Sequence, residues 1–161
     1  MIDFIRGRLV KKDLARAVVE TGGIGYLLEV PYSTVRTLEE GKEVTILTHL
    51  HVRETEMRLY GFATEAERRL FQLLLTVNKI GPALAMSILS AFSVEEFQRT
   101  VRQGDPKALA ARVKGMGPKT AQRLLIELKP TTEELVVPAN QAETDTRRKA
   151  ADVVKALVQL E

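Results

Sequence analysis

One phrase occurs twice in this chain, and it constrains the fold more than anything else in it. Ile80-Gly81-Pro82-Ala83-Leu84-Ala85 matches Met116-Gly117-Pro118-Lys119-Thr120-Ala121, thirty-six residues further on. The flanks match as well: Val77 and Val113 precede each glycine by four residues, and Ile88-Leu89 pairs with Leu124-Leu125. Proline sits well at the first position of a helix, where its missing N–H has no intrahelical use. Gly115 and Gly117 permit a left-handed turn and leave no side chain over the backbone. Each phrase therefore reads as the hinge of a helix–hairpin–helix unit, and the pair as an internal repeat. A helix that opens with unpaired amides and partial positive charge suits a phosphate oxygen, and Lys119 and Thr120 lie in that first turn.

Charge points the same way. Residues 99–129 hold eight Lys/Arg (Arg99, Arg102, Lys107, Arg112, Lys114, Lys119, Arg123 and Lys129) against Asp105 and Glu127. Residues 1–62 hold nine of each sign, and the remainder is slightly acidic, so the net +3 is one local basic patch. A basic patch around amide-lined hinges is the footprint of a phosphate-backbone reader. Aromatic residues make up 5% and Trp is absent, which argues against base stacking as the main binding mode.

Residues 1–63 read as a small barrel. Residues 2–9, 17–20, 26–30 and 43–48 are short and β-branched or alternating, and Lys11-Lys12-Asp13, Thr21-Gly22-Gly23 and Glu40-Gly41-Lys42 signal turns. Five or six such strands in about sixty residues suggest a five-stranded OB-like barrel. Along residues 44–52, Val44, Ile46, Thr48, Leu50 and Val52 fall on one face; Leu47, His49 and His51 fall on the other, read as polar. Two histidines without a third ligand make a poor metal site, so no metal is expected. Arg53-Glu54-Thr55-Glu56 reads as a hairpin tip bearing two carboxylates.

At Thr64 the period changes from two to 3.6, placing a domain boundary near Ala63. Thr64-Glu65-Ala66-Glu67 and Ser93-Val94-Glu95-Glu96 read as capping boxes, and Asp105-Pro106 as a cap with proline at the first helical position. Residues 64–130 thus form five short helices carrying both hinges, the DNA-binding unit. Residues 131–143, with Pro138 and no sustained period, read as a linker. Residues 144–161 carry an apolar stripe of Ala150, Val153, Val154, Leu157, Val158 and Leu160, expected to be the first helix of an incomplete C-terminal domain. The fold class expected is multidomain α+β: OB-like barrel, all-α tandem helix–hairpin–helix domain, linker and partial helical domain.

No apolar run approaches membrane-spanning length, the N-terminus lacks the plan of a signal peptide, and cysteine is absent, which fits a reducing cytoplasm. Gly115 to Thr120 is superficially like a P-loop, but GxxxxGK[ST] needs glycine where Pro118 stands. Helix–hairpin–helix glycosylases carry a catalytic aspartate downstream, and the first after Gly117 is Asp145, beyond the linker. Neither catalysis nor a cofactor is expected.

In this order, barrel, paired hinges, linker and terminal helix resemble the RuvA family of Holliday-junction-binding subunits of the bacterial RuvAB branch-migration machine. Met1 to Gly7, His51-Val52-Arg53-Glu54, Leu59-Tyr60-Gly61-Phe62 and both hinges carry the resemblance. It implies a cytoplasmic, non-catalytic homotetramer, sometimes an octamer, that presents a basic surface to a four-way junction in recombination and repair. Its third domain would engage a RuvB-type AAA+ motor. By the same resemblance, amides and side chains at Asn78, Lys79, Gly81, Ala83, Gly115, Gly117, Lys119, Thr120 and Arg123 grip duplex phosphates. An acidic pin maps to Glu54 and the residue after it. The family pattern has glycine at the Lys79 position, a basic residue at Ala83 and a second acid at Thr55; Lys79 is read as restoring the charge and Glu56 as replacing the acid. The competing readings are a general duplex or single-strand binder without junction preference, and a structural adaptor using its C-terminal helix.

Overall fold

The computed structural model describes residues 1–131. The expected linker beyond Thr131 and the helix expected over 144–161 lie outside the described residues.

Strands β1 (Phe4–Lys12), β2 (Arg16–Thr21), β3 (Ile24–Glu29), β4 (Glu43–Val52) and β5 (Met57–Phe62) close a barrel in the order β1-β2-β3-β5-β4. Inward positions alternate as the pleat requires, and Leu9, Val19, Leu28 and Ile46 are fully buried. Gly22 and Gly23, at φ 60° and 81°, make the tight β2–β3 turn that positive φ at both centres favours. The β1–β2 turn begins later than expected. Lys11 and Lys12 belong to β1, and the Asp13 carboxylate forms the turn by accepting the N–H groups of Ala15 and Arg16, each at 2.9 Å. Lys12 is held in place by donating its ammonium to the carbonyls of Val35 and Leu38, at the end of a short helix α1 (Tyr32–Val35).

The second face of β4 is not the open polar face its pattern suggested. Helix α2 (Glu65–Thr76) covers it, and the His49 ring meets Phe71 edge-on at 5.4 Å. Burial, followed by the charges of His51 and Arg68, holds the His49 imidazole below its ordinary pKa.

Helices α3 (Pro82–Ala91), α4 (Val94–Gln103), α5 (Pro106–Arg112) and α6 (Pro118–Leu128) complete the helical unit. Ser93 and Glu96 form a reciprocal capping box, and Asp105 caps α5 through the amides of Lys107 and Ala108. Thr64 makes only half of the box expected there. Its side chain accepts from the Glu67 amide, but the Glu67 carboxylate turns away to the Ala63 N–H and to the hydroxyls of Ser33 and Thr34. That diversion ties α1, β5 and α2 together. The seam is apolar as well: Tyr60 and Phe62, from the last strand, lie 5.0 Å from the Phe71 ring and belong to the helical core.

Two barrel glycines are required by packing. A Cβ at Gly7 would overlap the backbone carbonyl of Glu20, which cannot move aside without breaking the β1–β2 pairing. At Gly61 a Cβ would stand 2.7 Å from the Ile46 side chain and 3.0 Å from those of Leu28 and Val30, which have some freedom to shift. Gly61→Ala is expected to cost about 1–3 kcal/mol in denaturant unfolding, and Gly7→Ala more. The reverse order would mean that β1 and β2 separate at that point more readily than their register implies.

Candidate nucleic-acid interface

The sequence repeat is realised as a repeat of backbone hydrogen bonds. In the first hairpin Ile80 N–H donates to the Val77 carbonyl at 3.1 Å and Ala85 N–H to Gly81 at 3.0 Å. In the second, Met116 donates to Val113 at 3.2 Å and Ala121 to Gly117 at 3.0 Å. Ile80 and Met116 are the anchors. Each is buried, and each holds its turn against the core while the glycine beyond it stays exposed.

The left-handed position differs from the sequence expectation. Gly117 and Gly81 have ordinary extended conformations, φ −85° and −94°, as the N-caps of α6 and α3. The left-handed residues are Gly115, at φ 87°, and its repeat counterpart Lys79, at φ 70°. Lys79 is the one non-glycine residue with positive φ among the described residues.

Neither cap position demands glycine for the chain's own sake. A Cβ at Gly81 or Gly117 would meet nothing within 4 Å. Among the described residues no side chain caps either helix, so the first-turn amides of Ala83 and Leu84, and of Lys119 and Thr120, have no capping partner there. The arrangement keeps a clear path to two sets of amide donors.

The charged groups divide unequally between the hairpins. Lys119 and Arg123 are exposed, form no ion pair among the described residues, and line an open groove of about 340 Å³ along α6 with Gln122, Ile126 and Glu127. Thr120 is half-buried beside them. The first hairpin has Ala83 where the second has Lys119, leaving Lys79 as its charge. The Asn78 amide is already engaged: it donates to the Glu127 carboxylate at 3.3 Å, tying the first turn to the end of α6.

Arg112 also leaves the basic surface. Its guanidinium lies over the Phe92 ring at 4.0 Å, donates to the Ala91 carbonyl at 2.7 Å and stands 3.6 Å from Glu96. It fastens α5 to the α3–α4 corner. Sequence reading missed both the Glu127 and the Arg112 links, because their partners stand forty-nine and twenty-one residues away.

The β4–β5 turn, Arg53 to Glu56, is closed by the Arg53 N–H donating to the Glu56 carbonyl at 2.8 Å. Its two glutamates are not equivalent. Glu56 is paired with Arg58 at 2.9 Å, and Arg58 also reaches Glu29 at 2.8 Å. The hydrogen bonds to Glu56 and then Glu29 raise the Arg58 pKa above its ordinary value. Glu54 sits exposed at the tip and makes no hydrogen bond or ion pair among the described residues. No cluster of three or more His, Cys, Asp or Glu among the described residues is placed to hold a metal ion. None of the described helices is long and apolar enough to cross a membrane.

A closed barrel joined to two cap-open hairpins defines a protein of the barrel-plus-tandem-helix–hairpin–helix class. The family models divide it in the same way: residues 1–61 match "RuvA N terminal domain" and residues 71–130 match "SAM-like Helix-hairpin-helix tandem". The chain belongs to the RuvA family. It is 40% identical over 166 residues to the Holliday junction branch migration complex subunit RuvA of Syntrophotalea carbinolica, covering 99% of this chain and 82% of that protein. The corresponding subunit of Pseudomonas putida is 41% identical over 170 residues, with the same coverage. That of Marinobacter nauticus is 47% identical over 129 residues, 80% of this chain. The chain spans 61% of the length of the Marinobacter relative and 64% of that of Chlorobium phaeobacteroides.

Because the cap glycines are needed by neither conformation nor packing, Gly117→Ser separates stability from binding. Serine is a preferred N-cap and would occupy the α6 amides itself. The expected result is an unchanged or raised Tm with weakened DNA binding in a fluorescence titration. Unchanged affinity would show that these amides are not the contact.

Proposed function

We propose that this chain binds four-way DNA junctions without reading their sequence and holds them open for branch migration by a RuvB-type AAA+ motor in recombination and repair. The observation that carries the reading is the pair of matching amide mouths, kept clear of Cβ atoms, with Lys119 and Arg123 beside the second. Such contacts hold phosphates and carry no base information. The named relatives are all branch migration complex subunits, which supports junctions as the substrate. The chain acts as a non-catalytic subunit, in the cytoplasm, and assembles as a tetramer or octamer so that several mouths engage the arms of one junction. The barrel, residues 1–63, serves as platform and the unit over 64–130 as DNA grip; the linker over 131–143 and the segment over 144–161 serve motor coupling.

The pin rests chiefly on Glu54. Its unpaired carboxylate at the tip would repel phosphates crowding the crossover, whereas the charge of Glu56 is offset by Arg58. One free carboxylate is a weaker pin than two, which favours, as a second reading, a duplex-binding repair scaffold with little junction preference.

Gel-shift competition between a four-way junction and linear duplex of equal length, with mass by light scattering, decides between them. Strong junction preference by a tetramer or octamer supports the first reading; equal affinity by a monomer leaves the second. Lys119→Glu should weaken binding to all sequences and flatten its salt dependence by about one unit of slope or more per bound copy. Glu54→Gln should keep or raise junction affinity while narrowing the preference for four-way over linear DNA. A Glu54→Gln protein with unaltered preference would remove the pin from the model.

A further inference from the structure

The open groove along α6 has a counterpart on α3. Four of its lining positions, Gln122, Arg123, Ile126 and Glu127, correspond through the thirty-six-residue repeat to Met86, Ser87, Ser90 and Ala91. Those four line a separate open cleft of about 410 Å³ between α3, the second hairpin turn and the barrel. The two grooves are also closed off alike. The first hairpin turn reaches the end of α6 through the Asn78 amide and Glu127, and the arm leading into the second turn reaches the end of α3 through Arg112 and the Ala91 carbonyl. The repeat thus places equivalent helix positions in two separate grooves, the α3 one walled also by barrel residues.

They differ in where their charge comes from. On α6 the cation is Arg123, one turn past Lys119. On α3 the same positions are Ser87 and Ala83, which carry no charge. The α3 cleft nevertheless contains Lys114, from the opposite hairpin, at the position that is Asn78 in the first repeat. Lys114 is exposed and forms no hydrogen bond or ion pair among the described residues. The other cation in the cleft, Arg112, is held on Phe92, and the acid on the barrel wall, Glu29, is offset by Arg58 at 2.8 Å. Among the described residues, Lys114 is therefore the lining cation with no partner.

We propose that the α3 cleft is a second phosphate-binding groove for duplex DNA, in which Lys114 supplies across the two hairpins the charge that Ser87 lacks. The first hairpin then offers amides from its own turn and a cation from its neighbour, while the second offers both from itself. This rests on the reading of the hairpins as duplex-phosphate grips and assigns a further contact to it.

The test uses the full chain with four-way junction and linear duplex probes over a salt series. Lys114→Gln should weaken binding to both probes by about three- to tenfold near physiological salt, and make the slope of log K against log salt shallower by about 0.9 for each bound copy. Ser87→Arg placed in the Lys114→Gln background should restore affinity and slope, because it puts the cation where Arg123 sits in the other groove. Since Lys114 bonds to nothing among the described residues, Tm should not change, which excludes misfolding as the cause of any loss. Parental affinity and slope in Lys114→Gln, with Lys119→Glu still weakening binding, would overturn the α3 groove and leave the hairpin reading intact. A lower mass in light scattering with an unchanged salt slope would also overturn it, making the cleft a contact between copies. If the parent chain binds neither probe, the hairpin reading itself fails.

Discussion

The arrangement depends on one apolar side chain in each hairpin. Ile80 and Met116 lie between the left-handed residue and the glycine cap, and both are buried. Fixing that side chain in the core sets the turn, and the turn sets the helix that follows. Three consequences are forced together: a proline starts the helix, its first amides face outward, and no side chain stands in front of them. A polar residue at either anchor would lose its burial and release the turn, so the geometry of the hairpin is held from the inside.

The same economy joins the two units. Phe71 packs on Tyr60 and Phe62 from the barrel's last strand and on His49, the cross-strand partner of Tyr60. Polar contacts then fix the angle. Arg68 donates to both the carbonyl and the carboxylate of Asp3, and Glu67 bonds across α1 and the Ala63 amide. Packing alone permits sliding, whereas donors and acceptors with fixed directions do not. The hairpins therefore stand in a defined relation to the barrel.

Local chemistry was legible in the sequence. Proline after glycine, serine three residues before glutamate, and alternation of β-branched residues each act within a few positions, and these features gave the barrel and the tandem hairpins. What the sequence concealed are decisions made across the fold. Glu67 has a local partner at Thr64 but finds better ones on α1. The carboxylate of Glu127 looks like a flaw in a basic surface until it meets the Asn78 amide. Arg112 counts as positive charge by composition, yet its guanidinium is taken up by Phe92, Ala91 and Glu96. The face of β4 carrying His49 reads as polar because nothing in its own strand reveals that Phe71 will cover it.

Lys79 is where local and distant demands conflict most openly. A left-handed conformation costs an ordinary L-residue about 1–2 kcal/mol, which glycine avoids, as Gly115 does at the equivalent place. Lys79 forms no hydrogen bond or ion pair among the described residues; the turn it permits is held by the Ile80 N–H bond to the Val77 carbonyl and by the burial of Ile80. With Ala83 and Ser87 uncharged, Lys79 is the cation that the first turn itself carries. The repeat thus keeps its hydrogen bonds in both copies while its charges migrate, to Lys79 within one hairpin and to Lys114 across from the other. Backbone geometry is what the two copies share; the positions of their cations are what differ.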